Sequence, residues 1–294
     1  TTPFTYIATA EVISLLGATP VFADIYPETF NINPCEIENA IKTAKEKGLN
    51  PKGIIAVDLF GLPARYRLIK KIAKKHNLFV LEDAAQGFGG KIRKQKSGSF
   101  GDIGSTSFFP AKPLGAYGDG GAIFTNDDEL ATKLQSIRVH GSGLNKYENV
   151  RIGINGRLDT LQAAILLEKM QIFDNEIISR NKISKYYSEN INSNYQKPFV
   201  PSQYISSWAQ YSLLAESNEA RLEIMKKFKK NKVPSMIYYS IPLHIQKVFQ
   251  SLQYNEGDFP VSENISKRIF SIPMHPYLNK FQQDKIINIL CSLK

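Results

Sequence analysis

At 294 residues and 43% hydrophobic content, the chain can bury one large core or two moderate ones. Its two cysteines, Cys35 and Cys291, stand far apart, which argues against a disulfide framework or a zinc site and for a reducing, cytoplasmic setting; no apolar run is long enough to span a bilayer, and no signal-peptide pattern opens the chain. The net charge of +10 comes from lysines scattered or grouped on helical faces, as in Lys70-Lys71-Ile72-Ala73-Lys74-Lys75, without the aromatic interleaving of a nucleic-acid binder, so it reads as a solvated basic face with anionic substrates as the second reading.

The opening residues Thr1-Thr2-Pro3-Phe4 lack an initiator methionine and read like the middle of a domain, so the first domain is expected to be N-terminally incomplete. Pro20-Val21-Phe22-Ala23-Asp24 reads as a short buried strand. Asn33 is placed to cap a helix, with Pro34 at its first position and Glu36 set for a capping box. An apolar strand over 53–57 ends at Asp58, and a helix follows over about 65–76. The next strand, 78–81, delivers Glu82 and Asp83 at its carboxyl end. Two further strands, 103–109 and 122–125, bracket a loop that holds Lys112. Residues 158–173 carry helical periodicity, with Leu161, Ile165, Leu166 and Met170 on one side. After Asp174 the chain turns Asn-, Ser- and Tyr-rich, which places a domain boundary near 175, with one domain over 1–175 and a smaller one over 176–294. Continuous β-branched and aromatic runs separated by helices predict a mainly parallel α/β sheet, and such sheets bind ligands beyond the carboxyl ends of their strands.

The chemistry collects at those ends. Lys112 lies between an apolar strand and Gly118-Asp119-Gly120-Gly121, five residues beyond Ser107. That placement suits an amine that forms an imine with an aldehyde cofactor, with the glycines letting the backbone turn close to the ligand. Asp83 can pair with a cationic ring nitrogen, and Gln86 with a ring substituent; the plainer alternative is that Asp83 caps the next helix. A plain hairpin turn likewise accounts for the glycines. Of the histidines, His76 is expected near solvent and His140 in a structural loop, while His244 and His275 would border a substrate cleft.

Four segments in order carry a family resemblance: 2–9, the run Glu82-Asp83-Ala84-Ala85-Gln86, 107–121, and 153–164. Together they resemble the DegT/DnrJ/EryC1/StrS aminotransferases, pyridoxal-phosphate (PLP) enzymes that aminate nucleotide-linked keto-sugars. The resemblance implies the fold type I of PLP-dependent transferases, with a mainly parallel seven-stranded sheet in the large domain and a smaller α/β C-terminal domain. It implies Lys112 as the imine-forming lysine and proton shuttle, Asp83 on the pyridine nitrogen and Gln86 near the phenolic oxygen. Tyr6 would stack on the ring and Ser107 would hold the phosphate. Asn155 would reach that phosphate from the neighbouring subunit of a homodimer, and Arg157 would face a carboxylate. No metal is implied.

Within the family, the wording of 108–120 is most similar to the branch acting on UDP-2-acetamido-2-deoxy-3-keto-glucuronate with glutamate as donor, for surface polysaccharides. Residues 157–162 and 207–211 support that branch. Tyr238 and Tyr239 occupy a substrate-facing segment, Tyr238 standing where the branch often has histidine. A dTDP-3-keto-6-deoxyhexose, a 4-keto sugar, or an inactive or regulatory member are the alternatives. The related sugar dehydratases replace the lysine with histidine, so Lys112 argues against them. The family's upstream Gly-Thr or Gly-Ser phosphate element precedes the first residue, and without it weak PLP binding is expected.

Overall fold

The computed structural model describes residues 1–145 and 147–292. Its first half alternates helix and strand: α1 (Ala8–Leu15), α2 (Pro34–Glu46), β1 (Gly53–Val57), α3 (Tyr66–His76) and β2 (Phe79–Asp83). The short pair β3 (Lys91–Ile92) and β4 (Gln95–Lys96) precedes β5 (Ile103–Ser107), β6 (Gly121–Phe124) and α4 (Asp128–Arg138). A 31-residue helix, α5 (Thr160–Asn190), leads into β7 (Tyr204–Ile205), β8 (Tyr211–Leu214) and α6 (Asn218–Lys230). The chain closes with α7 (Pro260–Arg268), β9 (Ile269–Ile272) and α8 (Lys280–Cys291).

The sheet that matters for chemistry runs β1-β2-β5-β6. The first three strands are parallel and β6 returns antiparallel, so the mainly parallel expectation holds. Among the described residues this sheet has four strands, not the seven that the resemblance implies. Register brings Val57, Asp83 and Ser105 side by side at one end.

Several elements follow their local signals. Asn33 accepts a hydrogen bond from the Cys35 amide and Pro34 occupies the first turn of α2. The capping box does not form, because Glu36 instead accepts from the Asn39 side chain. In α3 the buried positions Tyr66, Ile69 and Ala73 fall on one face, leaving Lys70, Lys71, Lys74 and Lys75 in solvent. The expected strand over 20–24 is not one. Its backbone is tied instead to Thr1, whose carbonyl accepts from the Ala23 amide, and to Asn33, whose amide donates to the Asp24 carbonyl. The apolar run is real and Phe22 is buried, but among the described residues no strand pairs with it.

The helix predicted over 158–173 extends to Asn190, and the boundary proposed near 175 falls within it. Its predicted apolar side is split: Leu166 is buried, while Leu161 and Met170 are exposed. Its buried residues Leu166, Phe173 and Ile177 join Phe108, Leu114 and Ala116 in one core. Further along, Ile183 and Tyr187 join Tyr211, Leu213 and Phe270 in another.

Candidate active site

Strand β2 is buried through Val80 and Glu82 and ends on Asp83, which sits half-buried at the carboxyl edge of the sheet. One carboxylate oxygen of Asp83 accepts from the Ala85 amide at 3.1 Å, the turn-capping contact that was the plain alternative. The other accepts from the Thr9 hydroxyl at 2.8 Å, so the cap accounts for half of the carboxylate only.

Behind Asp83 lies a buried acidic pair. Glu82 is fully buried and accepts from the Gly98 and Phe100 amides. Asp58, also fully buried, accepts from the Ala64 amide at 3.0 Å and the Tyr66 hydroxyl at 2.7 Å. Desolvation first, and then the Glu82 charge, push the Asp58 carboxyl well above its ordinary range; desolvation also raises Glu82.

The lysine loop is built by backbone bonds across its base. The Phe108 amide donates to the Gly120 carbonyl, and the Ala116 amide returns to the Phe108 carbonyl. Leu114 and Ala116 are buried beneath it, and the Lys169 amine donates to the Gly115 carbonyl. A side chain at Gly115 would put its Cβ 2.4 Å from the Pro110 carbonyl oxygen, so the turn admits glycine alone. This construction leaves Lys112 half-buried. Burial lowers its amine below the usual lysine range, and the nearby Asp83 charge opposes the shift. A lysine that gives up its proton more readily is what capture of an aldehyde requires.

Gln86 is buried, its side-chain Oε1 accepting from the Phe60 amide at 2.6 Å and its Nε2 donating to the Tyr239 hydroxyl at 3.0 Å. One amide hydrogen remains for a ring substituent. Tyr239 packs against Phe4 and Tyr6, with centroids 6.1 and 6.4 Å away, and burial drives its hydroxyl far above the usual tyrosine range. Tyr6 is 59% exposed, which leaves its ring available to cover a flat ligand. The Ser107 oxygen accepts from the Phe109 amide at 3.2 Å, so its proton remains to donate to a phosphate.

Asp83, Gln86, Tyr6, Lys112 and Tyr239 are thus brought together, and Ser107 ends a strand of the same sheet edge. Asn155 and Arg157 are not part of that group. Both are exposed, the Arg157 Nε donates to the Asn155 carbonyl at 3.0 Å, and neither bonds to the group among the described residues. Tyr238 meets the cluster through Tyr239, its ring 5.9 Å away.

Three of the four histidines take structural places. His76 is mostly buried and meets Glu38 at 2.7 Å, rather than lying near solvent. His140 has a left-handed backbone, with its amide on the Ile154 carbonyl. His244 is fully buried against Glu263, 3.0 Å away, which removes it from any cleft. Two further residues, Thr9 and Ser207, belong to the site without a role expected from the sequence. Thr9 falls three residues after Tyr6 on one turn, a spacing that marks a shared face, but its partner Asp83 is 74 residues away. Ser207 donates its hydroxyl to the Gln86 carbonyl at 2.6 Å, linking the second half of the chain to the site.

A half-buried lysine whose amine burial shifts toward the neutral form, an anchored carboxylate, an uncovered aromatic ring and a hydroxyl with a proton to give fit PLP, and together with the fold they define a PLP-dependent aminotransferase of fold type I. The chain belongs to the DegT/DnrJ/EryC1/StrS aminotransferase family, whose pattern matches residues 1–291. Members of this family are PLP-dependent and aminate sugars. The UDP-2-acetamido-2-deoxy-3-oxo-D-glucuronate aminotransferase of Pseudomonas aeruginosa is 42% identical over 290 residues, covering 98% of this chain and 76% of its own. A pleiotropic regulatory protein of Geobacillus stearothermophilus is also 42% identical, with the same two coverages. The crystal structure of a DegT DnrJ EryC1 StrS aminotransferase from Brucella abortus superposes with a TM-score of 0.95 at 48% identity, over 99% of this chain and 78% of that one.

Proposed function

We propose that this chain moves an amino group from glutamate onto UDP-2-acetamido-2-deoxy-3-keto-glucuronate, on a route to surface polysaccharide, within a homodimer whose sites are shared. PLP, when bound, supplies an aldehyde for amine capture and an electron-withdrawing ring. The protein's residues set the rest. The Lys112 amine would hold the aldehyde group and carry a proton to and from the reacting carbons. Asp83 pairs with the ring nitrogen, and Tyr6 covers one ring face. Gln86, fixed by Phe60 and Tyr239, meets the ring oxygen. Ser107 donates to the phosphate, joined by Asn155 from the partner subunit. Arg157 and the Tyr238–Tyr239 segment face the uronate and its nucleotide.

The observation that carries the reading is Lys112, desolvated yet beside Asp83 at the carboxyl ends of the strands. Purified protein given PLP is expected to develop an absorption band near the visible edge, abolished by Lys112→Ala and shifted by glutamate. Mass spectrometry of the UDP-linked keto-uronate against dTDP-linked keto-sugars then identifies the acceptor. No band, or a band indifferent to Lys112→Ala, refutes the enzyme assignment; preference for a dTDP substrate refutes the uronate alone.

A further inference from the structure

We propose that Thr9 is the positioning residue for Asp83, ending a two-hydroxyl relay that keeps the carboxylate turned toward the cofactor ring and away from Lys112. The inference rests on the assignment of Asp83 to the ring nitrogen.

The relay has a fixed direction. The Thr9 and Thr5 hydroxyl oxygens lie 3.1 Å apart, and both residues are buried. A carboxylate only accepts, so Thr9 must give its single proton to Asp83 at 2.8 Å. Thr9 then has only acceptor capacity left for Thr5, and Thr5 must donate to it. Two hydroxyls in series pointing at one anion reinforce each other. With the Ala85 amide on the other oxygen, both ends of the carboxylate are anchored and its plane is set.

The anchor has a competitor. Lys112 is close enough for the Asp83 charge to act on its amine. A carboxylate free to rotate would swing toward that cation, holding the proton that the lysine needs to lose and leaving the ring nitrogen without its partner. Thr9 prevents that rotation. It also shares a turn with Tyr6, its amide donating to the Tyr6 carbonyl at 3.3 Å. One turn of chain therefore sets both the residue over the ring face and the hydroxyl behind the ring's charged partner.

The test uses the full chain and two cofactors, PLP and its 1-deaza analogue, in which a C–H replaces the ring nitrogen. Both are titrated by absorbance against wild type, Thr9→Val and Thr9→Ser. Thr9→Val keeps the shape and removes the donor, so the PLP Kd is expected to rise about tenfold, the effect of one hydrogen bond to a charged group. Thr9→Ser should stay within about threefold of wild type, because its hydroxyl is retained. The analogue, with no nitrogen to pair, should bind the three proteins alike. Equal loss of both cofactors in Thr9→Val would mean a purely structural role, and unchanged PLP binding would mean no role; either overturns the proposal. Wild type binding the two cofactors equally would instead overturn the pairing of Asp83 with the ring nitrogen. Should Thr9→Val fail to fold, Thr5→Val removes the upstream donor without touching Asp83. A PLP-selective weakening of about twofold or more then supports the relay, and none refutes it.

Discussion

The contact between residues 60–61 and 207–210 gives the sharpest stability prediction. Gly61 has φ +101, outside the range that side chains tolerate, and an added Cβ would stand 2.4 Å from the Ser207 hydroxyl and 2.6 Å from the Trp208 amide. The backbone alone costs Gly61→Ala about 1–2 kcal/mol. The clash then forces Ser207 to move, which breaks its amide's bond to the Gly61 carbonyl (2.9 Å) and its hydroxyl's bond to the Gln86 carbonyl (2.6 Å). At about 1 kcal/mol for each bond, the total is roughly 3–4 kcal/mol. Gly48→Ala is the control: φ is +73 but nothing lies within 4 Å of its Cβ, so only the backbone cost of about 1 kcal/mol applies. Denaturant unfolding followed by circular dichroism and by Trp208 fluorescence reads both variants. Trp208 is the only tryptophan in the chain and sits at the contact itself. If Gly61→Ala costs no more than Gly48→Ala, the 207–210 segment does not depend on this contact.

Two further outcomes follow from the buried acids and from the proposed shared site. Asp58 has its folded-state pKa raised, so the stability it confers is present below the unfolded carboxylate range and is lost as pH rises through the folded value. Wild type is therefore expected to lose stability relative to Asp58→Asn as pH rises above the unfolded carboxylate range of about 4, and parallel unfolding curves would contradict the shift. Mixing inactive Lys112→Ala with inactive Asn155→Ala subunits should restore activity to roughly a quarter of wild-type sites, because each mixed dimer rebuilds one complete site. No recovery after subunit exchange, checked by mass, would count against Asn155 acting across subunits.

What the sequence made legible was local. The strand over 53–57 was read with its observed bounds, and Asp83 was read at a strand end, because apolar runs and breakers act over neighbouring residues. The run over 20–24 misled for the same reason: its composition is that of a strand, but pairing depends on what lies alongside, and Thr1 and Asn33 lie there. The helix from 160 was read too short because its buried stripe switches cores partway, so a single apolar face does not persist. The roles expected of Lys112, Asp83, Gln86 and Tyr6 rest on motif wording. Thr9 carries no such signal, because the carboxylate its hydroxyl serves, Asp83, lies 74 residues away. Gln86 was assigned toward a ligand, while its hold on Phe60 and Tyr239, the latter 153 residues away, appears only in three dimensions.

At about 1.5 Å per residue, α5 is a rod about 46 Å long. Its early turns complete the interior under the lysine loop, and its later turns complete the interior around Tyr211 and Phe270. Neither interior is whole without it. A cut near 175 would therefore open two hydrophobic seams at once, and fragments divided there would each lack a wall. The two halves of this chain are tenants of one beam, and the change of composition near 175 falls partway along it.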